Sequence, residues 1–437
     1  MGAVRDGESG GGRRNGGAAR RTAWTRAGLA ATGLGAIAAV ALLAPGGGAA
    51  VAGAAESGGA GHGDRVARQL QRDTQAVVTA GATGVTAETV DADGRRSTAR
   101  AGVDDLERRG EVPEDAYYRI GSDTKTFTAV VALQLVEEGR LALEDTVEEL
   151  LPGVVTGNGN DGGRITVTNL LRHTSGLPNY TDILFLSDLD AFTPENYRET
   201  RFSTSDNAEK VALAMTEAPG WLPDAADPQG ETRWAYSNTN YILAGMIIEK
   251  VTGHPWEHEV HERIIEPLGL AHTLTPGTSA YVPRPTATGY MQFPGRQELT
   301  DTSVMADAGA DGAIISTTRD MNTFLRALLG GELLEPGTLE LMKETVPADD
   351  FAPGGGYGLG IAWRPVQGAS PQRCADGGLW FHGGTSFGTV SETGVSADGR
   401  YSAAAAEYTL WLDDQDKAQE QFRAGIDLVD RAVCGSR

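Results

Sequence analysis

A serine and a lysine three residues apart are the residues of this sequence best suited to nucleophilic chemistry. Ser122 and Lys125 lie near the start of the stretch RIGSDTKTFTAVVALQLVEE, in which apolar residues recur at helical spacing. On a helix, a spacing of three places the lysine amine on the same face as the serine hydroxyl. The start of a helix also offers unpaired backbone N–H groups that can stabilise an oxyanion. The pattern predicts that Ser122 is a nucleophile and that Lys125 is its general base.

The use of lysine is informative because the chain contains only five lysines against 32 arginines. A desolvated lysine can release its proton and act as a base, whereas arginine cannot. A four-residue pattern also arises by chance on ordinary surface helices, so catalysis requires partners elsewhere in the chain.

The first partner motif is Y-S-N, which lies just before a helical pattern at residues 240–251. The phenol of Tyr236 can move protons between the nucleophile and a leaving group, and Asn238 can hold a substrate amide carbonyl. Taken alone, the motif is also typical of a helix-capping loop.

The second partner motif is H-G-G-T, which ends a short apolar strand pattern. Gly383 and Gly384 would let a substrate backbone lie along the strand edge. The N–H of Thr385 could complete an oxyanion hole with that of Ser122. His382 would place a positive charge, or a hydrogen-bond donor, beside the tyrosine of the first motif. Alone, the motif also fits a tight bend, but three motifs in this order predict a catalytic site.

The formal net charge of −22 argues against a nucleic-acid role, which needs a basic face. Residues 1–55 nevertheless carry six arginines and two acidic residues. Their apolar run (27–43) and small residues (52–54) are typical of a signal peptide. We expect a cleaved signal peptide over 1–55, a flexible linker over 56–63 and a secreted protein without stable membrane insertion; an uncleaved anchor is the alternative.

Strand patterns at both ends of the chain predict one antiparallel sheet built from both ends, with a mostly helical lobe between them. The predicted helices are 64–79, 122–138, 167–171, 240–251, 256–265, 316–329 and 416–433. The predicted strands are 84–90, 97–103, 358–363, 379–381, 389–395 and 401–410. The expected fold class is α/β + α, in one domain (64–437) with a sheet lobe at about 64–121 and 356–437 and a helical lobe at about 122–355.

These motifs and their surroundings resemble the serine β-lactamase and penicillin-binding-protein superfamily, in its branch of class C β-lactamases and soluble D-alanyl-D-alanine carboxypeptidases. The resemblance covers roughly residues 64–435. It includes RITVTNLLRHTSGLPNYTD, YSNTNYILAGMIIEKVTG, RIIEPLGL, GAIISTTRDMNTFLRALLGG and YGLGI. It implies a β-lactamase/transpeptidase-like fold, an acyl-Ser122 intermediate, a D-alanyl-D-alanine carboxypeptidase-type activity on peptides, and reaction with β-lactams.

The chain departs from those carboxypeptidases in two places. They have H-T-G where this chain has H-G-G, and an arginine where it has Ala362-Trp363. Arg364, two residues further along the same strand face, is the candidate replacement for holding a substrate carboxylate. An esterase or D-amino-acid amidase using the same residues is therefore the alternative, and a non-catalytic protein that binds cell-wall peptides is a further one. Asp123, beside the nucleophile, is expected to point away from the site.

The remaining candidates concern cysteine and metal chemistry. Cys374 and Cys434 form an even pair, which in an exported protein indicates a disulfide, with two free thiols as the alternative. A similarly placed pair occurs in carboxypeptidases of the family. Three histidines, at positions 254, 258 and 261, lack the spacing of a zinc-binding helix. No metal or cofactor is therefore predicted, and the expected partner is a small-molecule or peptide substrate.

Overall fold

The computed structural model describes residues 62–186 and 192–436. The predicted signal peptide and most of the predicted linker lie outside these residues. The last two linker positions, 62 and 63, already belong to the first helix. No helix within the described residues is long and apolar enough to cross a membrane.

The α-helices are numbered in chain order. They are α1 (His62–Thr79), α2 (Thr124–Glu137), α3 (Val147–Leu150), α4 (Val167–Arg172), α5 (Tyr180–Leu186), α6 (Pro194–Thr200), α7 (Asn207–Ala214), α8 (Asn238–Thr252), α9 (Trp256–Val260), α10 (Glu266–Leu268), α11 (Thr318–Leu329), α12 (Pro336–Lys343) and α13 (Gln415–Cys434). Short 3-10 turns occur at Gly121–Asp123, Gly162–Arg164 and Pro228–Gly230, and a π-helical turn at His261–Ile265.

The strands are numbered in the same way. They are β1 (Gly84–Val90), β2 (Arg96–Gly102), β3 (Tyr118–Arg119), β4 (Thr156–Gly157), β5 (Asn160–Asp161), β6 (Tyr290–Gln292), β7 (Leu299–Asp301), β8 (Ile315–Ser316), β9 (Val346–Pro347), β10 (Gly356–Tyr357), β11 (Ala362–Pro365), β12 (Gly378–Phe381), β13 (Gly384–Ser386), β14 (Thr389–Val395), β15 (Ser402–Glu407) and β16 (Thr409–Trp411).

A nine-stranded sheet joins the two ends of the chain in the order β2–β1–β15–β14–β12–β11–β10–β9, with β13 paired to β14. Every pairing in this sheet is antiparallel. Strand β1 pairs with β15 along its length, from Val85 opposite Glu407 to Val90 opposite Ser402. The predicted fold class, an antiparallel sheet built from both chain ends with helices around it, is confirmed.

Helices cover both faces of the sheet, and this explains the alanine-rich sequence of β15. Ala403 and Ala405 pack with residues of α1 and α13, whereas Ala404 and Ala406 belong to the larger core that includes α2 and α11. All six residues of β15 are buried. Small side chains there allow helices to approach the strand from both sides, at close to crystal-like packing density.

Helix α2 is the centre of the larger core. Eleven of its 14 residues are buried, so the helix is surrounded by protein rather than facing solvent on one side. The ring of Phe127 stacks on that of Phe324 of α11 with the ring centroids 3.7 Å apart. This burial holds the residues at the N-terminal end of α2 in a rigid and largely dry environment.

The prediction of one strand over 358–363 is wrong, because β10 ends at Tyr357 and β11 begins at Ala362. The turn between them has Gly360 at φ +82°, and a Cβ there would lie 2.3 Å from the Cβ of Ala129 in α2. The Gly360 carbonyl accepts a hydrogen bond from the Thr126 hydroxyl at 2.7 Å. The glycines therefore form a close turn against α2 instead of continuing the strand.

The two cysteines form the predicted disulfide, with the Cα atoms of Cys374 and Cys434 5.3 Å apart. The bond ties the end of α13 to the loop that precedes β12. The sheet also begins earlier than the predicted boundary at 356, since β9 (Val346–Pro347) pairs with β10.

Candidate active site

Ser122 lies in the 3-10 turn Gly121–Asp123, and α2 begins two residues later than predicted. Gly121 has φ +53°, and a Cβ at this position would lie 2.5 Å from the carbonyl oxygen of Thr385 in β13. Only glycine fits this close approach without strain. The turn that carries the nucleophile is therefore packed directly on strand β13.

Lys125 is fully buried and its amine reaches the nucleophile. Lys125 Nζ lies 3.2 Å from Ser122 Oγ. The same nitrogen donates to Asn238 Oδ1 at 2.7 Å and to the Asp311 carbonyl oxygen at 2.6 Å. A neutral amine has two N–H donors and one lone pair. The two acceptors take both donors, so the lone pair remains for the Ser122 hydroxyl proton.

The environment of Lys125 favours the neutral amine. Burial lowers the pKa of Lys125 from 10.5 to about 8, although the Asp311 carboxylate, followed by Asp307 and Asp123, raises it in part. A base with a pKa near 8 is substantially deprotonated in mildly alkaline solution. Position and protonation state therefore both suit Lys125 as the general base for Ser122.

Tyr236 contacts the nucleophile from the other side. Its hydroxyl donates to Ser122 Oγ at 2.7 Å. Burial raises the pKa of the Tyr236 phenol well above 10, so the phenol keeps its proton at neutral pH. The ring is held by Phe351, which stacks on it at 5.8 Å, and by His173 at 4.4 Å between ring centroids. Tyr236 is thus placed to donate a proton rather than to act as the first base.

Asn238, at the start of α8, connects Lys125 to helix α5. Its side-chain oxygen accepts from Lys125, and its Nδ2 donates to Thr181 Oγ1 at 3.0 Å. Nδ2 has a second hydrogen, and Asn238 lines the cavity next to Ser122. The arrangement is compatible with the predicted contact to a substrate carbonyl.

Strand β13 runs against the turn of the nucleophile. A Cβ on Gly384 would lie 1.9 Å from the Ile120 carbonyl oxygen and 2.8 Å from the Ser122 nitrogen. Thr385 follows on this strand and lines the same cavity as Ser122. The structure therefore brings the predicted oxyanion segments side by side; the oxyanion role of Ser122 and Thr385 stays a prediction.

His382 does not supply the positive charge considered from the sequence. Burial, followed by the charge of Lys125, lowers the pKa of His382 to about 3, so the ring is neutral. Its Nδ1 donates to the Gly383 carbonyl oxygen at 2.8 Å, and its Nε2 accepts from the Tyr357 hydroxyl at 2.7 Å. Both ring nitrogens are occupied, so His382 orients the glycine segment and has no hydrogen left for Tyr236.

Asp123 points into the sheet rather than into the cavity. Its Oδ1 accepts from the Gly383 N–H at 3.2 Å and from Thr393 Oγ1 at 2.9 Å. The side chain is buried, and burial raises its pKa to about 7. Asp123 thereby links the turn of the nucleophile to the glycine segment beside the site.

Arg364 is not part of the site, and its predicted role in holding a substrate carboxylate is corrected. Its guanidinium donates to Asp430 Oδ1 of α13 at 2.8 and 3.1 Å and lies over the ring of Phe381 at 4.3 Å. The side chain is buried under α13 and is absent from the cavity lining. The pairing of Arg364 with Asp430 is a long-range contact that strand periodicity alone does not reveal.

The cavity next to Ser122 has a volume of about 240 Å³. This volume is small compared with typical pockets for drug-sized ligands, so the cavity fits one amino-acid residue better than a long peptide. Its lining includes the apolar side chains Phe185, Phe192, Met291, Met305, Phe387 and Leu410 and the ionisable groups of Glu209, Lys210, Asp307 and Asp311.

Sequence reasoning missed several residues of this site. His173 lies in the quoted stretch RITVTNLLRHTSGLPNYTD and ends α4 in the left-handed conformation at φ 60°. Burial lowers its pKa well below 6.5, so a neutral ring packs on Tyr236. Asp307 and Asp311 lie in one loop before β8, and their proximity to the site follows from the folding of that loop over α2. The sequence gives little indication that a histidine after a helix will adopt the left-handed conformation.

The three histidines set aside above lie at or just before α9 and its π-helical end. His254 Nδ1 lies 3.0 Å from Glu259 Oε1, and His261 Nδ1 lies 3.2 Å from Glu262 Oε1. All three rings are exposed. Glu259 is also engaged by Arg263 at 2.6 Å. The absence of a metal site here stays a prediction.

The fold and the Ser122–Lys125–Tyr236 cluster are those of the serine β-lactamase superfamily. The beta-lactamase family model matches residues 64–401, and the chain belongs to this family. Curated relatives include a putative penicillin-binding protein of Bacillus subtilis strain 168, 29% identical over 58% of this chain and 55% of its own. Penicillin-binding protein 4 of Amycolatopsis lactamdurans is 26% identical over 59% of this chain and 66% of its own. The chain thus spans no more than 66% of the length of these two relatives.

Solved structures match more of the chain. A D-stereospecific amidohydrolase from Streptomyces sp. is 38% identical, with a TM-score of 0.71, and the match covers 85% of this chain and 99% of that one. The D-amino acid amidase of Ochrobactrum anthropi SV3, with L-phenylalanine amide, is 24% identical with a TM-score of 0.67, over 83% and 98% of the two chains. This second likeness concerns the fold alone.

Proposed function

We propose that the protein is an exported serine amidohydrolase that cleaves small D-amino-acid amides or dipeptides through an acyl-Ser122 intermediate. The observation that carries the chemistry is the convergence of two groups on one oxygen. Ser122 Oγ lies 3.2 Å from the Lys125 amine and 2.7 Å from the Tyr236 hydroxyl. A nucleophile with an adjacent base is the general requirement for covalent catalysis.

In the acylation step, Ser122 Oγ bonds to the carbonyl carbon while its proton passes to Lys125 Nζ. The oxyanion so formed would be stabilised by the N–H groups of Ser122 and Thr385. Collapse of the tetrahedral intermediate breaks the C–N bond, and the leaving amine takes a proton from Tyr236, which is reprotonated by the Lys125 ammonium. Water then attacks the acyl group in the same way and releases Ser122.

The position of Arg364 supports an amidase rather than a strict carboxypeptidase. A carboxypeptidase recognises a free carboxylate, for which a bidentate arginine is the strong solution, and Arg364 instead binds Asp430. The small cavity and the likeness to the D-stereospecific amidohydrolase support the same reading.

A D-alanyl-D-alanine carboxypeptidase is the second candidate. It is supported by the resemblance to penicillin-binding proteins, and Lys210 offers one cation in the cavity lining. Comparing kcat/KM for D-phenylalanine amide with that for a peptide ending in D-Ala-D-Ala distinguishes the two. The amidase proposal requires a clear preference for the amide, and a preference for the peptide acid would replace it with the carboxypeptidase.

The chemistry itself is tested by covalent labelling with a fluorescent penicillin. We expect a label on wild type that peptide mapping assigns to Ser122, and none on Ser122→Ala. Equal labelling of both would contradict the acyl-Ser122 mechanism. A wild-type protein with no label and no amide hydrolysis would favour the non-catalytic binding alternative.

Export is proposed from the basic, apolar leader over residues 1–55. N-terminal sequencing of protein recovered from the culture medium should give a start near the small residues at 52–55. Recovery of the full-length chain in the membrane fraction would instead support the uncleaved anchor.

A further inference from the structure

Three carboxylates line the cavity, those of Glu209, Asp307 and Asp311, and they differ in their contacts. Asp311 Oδ2 accepts from the Tyr180 hydroxyl at 2.9 Å, and the Lys210 amine donates to the Ala308 carbonyl. A Cβ on Gly309 would lie 2.4 Å from Asp311 Oδ1 and 3.0 Å from Lys210 Nζ. The Asp311 carboxylate and the Lys210 ammonium therefore lie within about 5–6 Å of each other and attract one another, although Asp311 Oδ1 itself has no hydrogen-bond partner among the described residues.

Asp307 has no such arrangement. Within residues 62–186 and 192–436, its carboxylate makes no hydrogen bond and no ion pair, although the residue lines the cavity. Burial raises the pKa of Asp307; Lys210 is the main opposing influence, and Arg119, whose Nη2 donates to the Ala280 carbonyl, is a weaker one. Asp307 is partly buried, and a partly buried carboxylate with incomplete compensation is stabilised by a cation that enters the cavity.

The position of Asp307 suits a cation attached next to the scissile carbonyl. Its Oδ2 lies 3.9 Å from the place that a Cβ on Gly312 would occupy, and that place is 4.0 Å from the carbonyl carbon of Gly121. The carboxylate is thus within about 8 Å of the backbone that precedes the Ser122 N–H. In a bound α-amino amide, the path would run from the N–H of the oxyanion hole through the substrate carbonyl and α-carbon to its ammonium group and then to the carboxylate. This path measures about 8–10 Å.

We propose that Asp307 binds the free α-ammonium group of the substrate, so that the enzyme selects α-amino amides over N-acylated ones. The inference rests on the proposed function and adds the substrate group that is recognised. The apolar part of the cavity lining, which includes Phe192, Met305 and Phe387, would take an apolar side chain on the same α-carbon. Asp307 is a specificity-determining residue in this proposal, and the reaction steps at Ser122 are unchanged.

The test compares D-phenylalanine amide with N-acetyl-D-phenylalanine amide at pH 7, where the free amine is mostly protonated. A charge-assisted hydrogen bond felt in the transition state changes kcat/KM about 10- to 100-fold. We expect wild type to prefer the free amine by this factor. In Asp307→Asn the preference should fall to within about threefold, because the free-amine rate decreases while the N-acetyl rate is kept. Asp413→Asn, which removes an exposed carboxylate before α13, should behave as wild type.

Two results would overturn the inference while leaving the proposed function intact. One is a wild-type enzyme that hydrolyses both amides equally; the other is an Asp307→Asn variant that retains the full preference. In both cases, labelling of Ser122 by penicillin would show that the protein tested, wild type or variant, is folded and has an active nucleophile. If Ser122 is not labelled and neither amide is cleaved by wild type, the proposed function fails and the inference fails with it.

Discussion

The pH dependence of Ser122 acylation follows from the environment of Lys125. Burial lowers the pKa of Lys125 from 10.5 to about 8, which at 1.36 kcal/mol per pKa unit disfavours the charged amine by roughly 3 kcal/mol. Only the neutral amine can accept the Ser122 proton. The acylation rate should therefore rise with pH through about 8 and reach about one-tenth of its plateau at pH 7 and one-hundredth at pH 6.

The assay is the second-order rate constant for labelling by a fluorescent penicillin between pH 5.5 and 9.5 at constant ionic strength. Lys125→Arg should lower the plateau by about 10²- to 10⁴-fold, because arginine retains the charge and cannot accept the proton. Lys250→Arg, the same change at an exposed position of α8, should leave the profile unchanged. A rate that is flat from pH 6 to 8, or a Lys125→Arg variant with a tenth of wild-type activity, would refute Lys125 as the base.

A substitution at Asp123 tests whether the pH profile reports the ionisation of Lys125. The Asp123 carboxylate raises the pKa of Lys125, although it contributes less than Asp311 and Asp307 do. Asp123→Asn should therefore displace the acid limb towards lower pH, and the amide oxygen can still accept from the Gly383 N–H. Displacement towards higher pH would show that the limb reports a different group.

Three further predictions concern stability. Burial raises the pKa of Glu392 to about 8, so the folded protein keeps a proton on Glu392 that the unfolded chain has lost. The free energy of unfolding of Glu392→Gln, measured with urea, should therefore increasingly exceed that of wild type as pH rises from about 4 to 8. A difference that does not change with pH would contradict this prediction. Arg364→Ala should lower the free energy of unfolding by about 3–5 kcal/mol, because it leaves Asp430 without its partner. The ratio of kcat/KM for free-acid and amidated peptides should stay at the wild-type value. Loss of a free-acid preference in this variant would show that Arg364 contributes to carboxylate recognition. Replacing Cys374 and Cys434 together by serine removes a link between residues 60 apart and should cost roughly 4 kcal/mol on the chain-entropy model; an unchanged denaturation midpoint would contradict it.

The residues of local motifs could be predicted from the sequence because their geometry depends on short-range spacing. Ser122 and Lys125 are three residues apart, and any helical path between them brings the amine near the hydroxyl. The bounds of β1 and β2 are predicted to within one residue because strand patterns are local signals. The Y-S-N and H-G-G motifs lie 114 residues or more from Ser122 in the chain, and their residue types and order, supported by the family resemblance, made Tyr236 and the glycine segment candidates.

The charge state and accessibility of these groups depended on the tertiary structure, because both are set by residues distant in sequence. His382 is neutral since α2 and the strands around it remove water from the ring, and its two nitrogens are taken by Gly383 and Tyr357. Arg364 is lost to the site because α13, 66 residues away, places Asp430 against it. Asp307 faces the cavity because its loop folds over the turn of the nucleophile. Spacing along the chain thus determined which groups could react, and long-range packing decided which of them are charged and which are exposed.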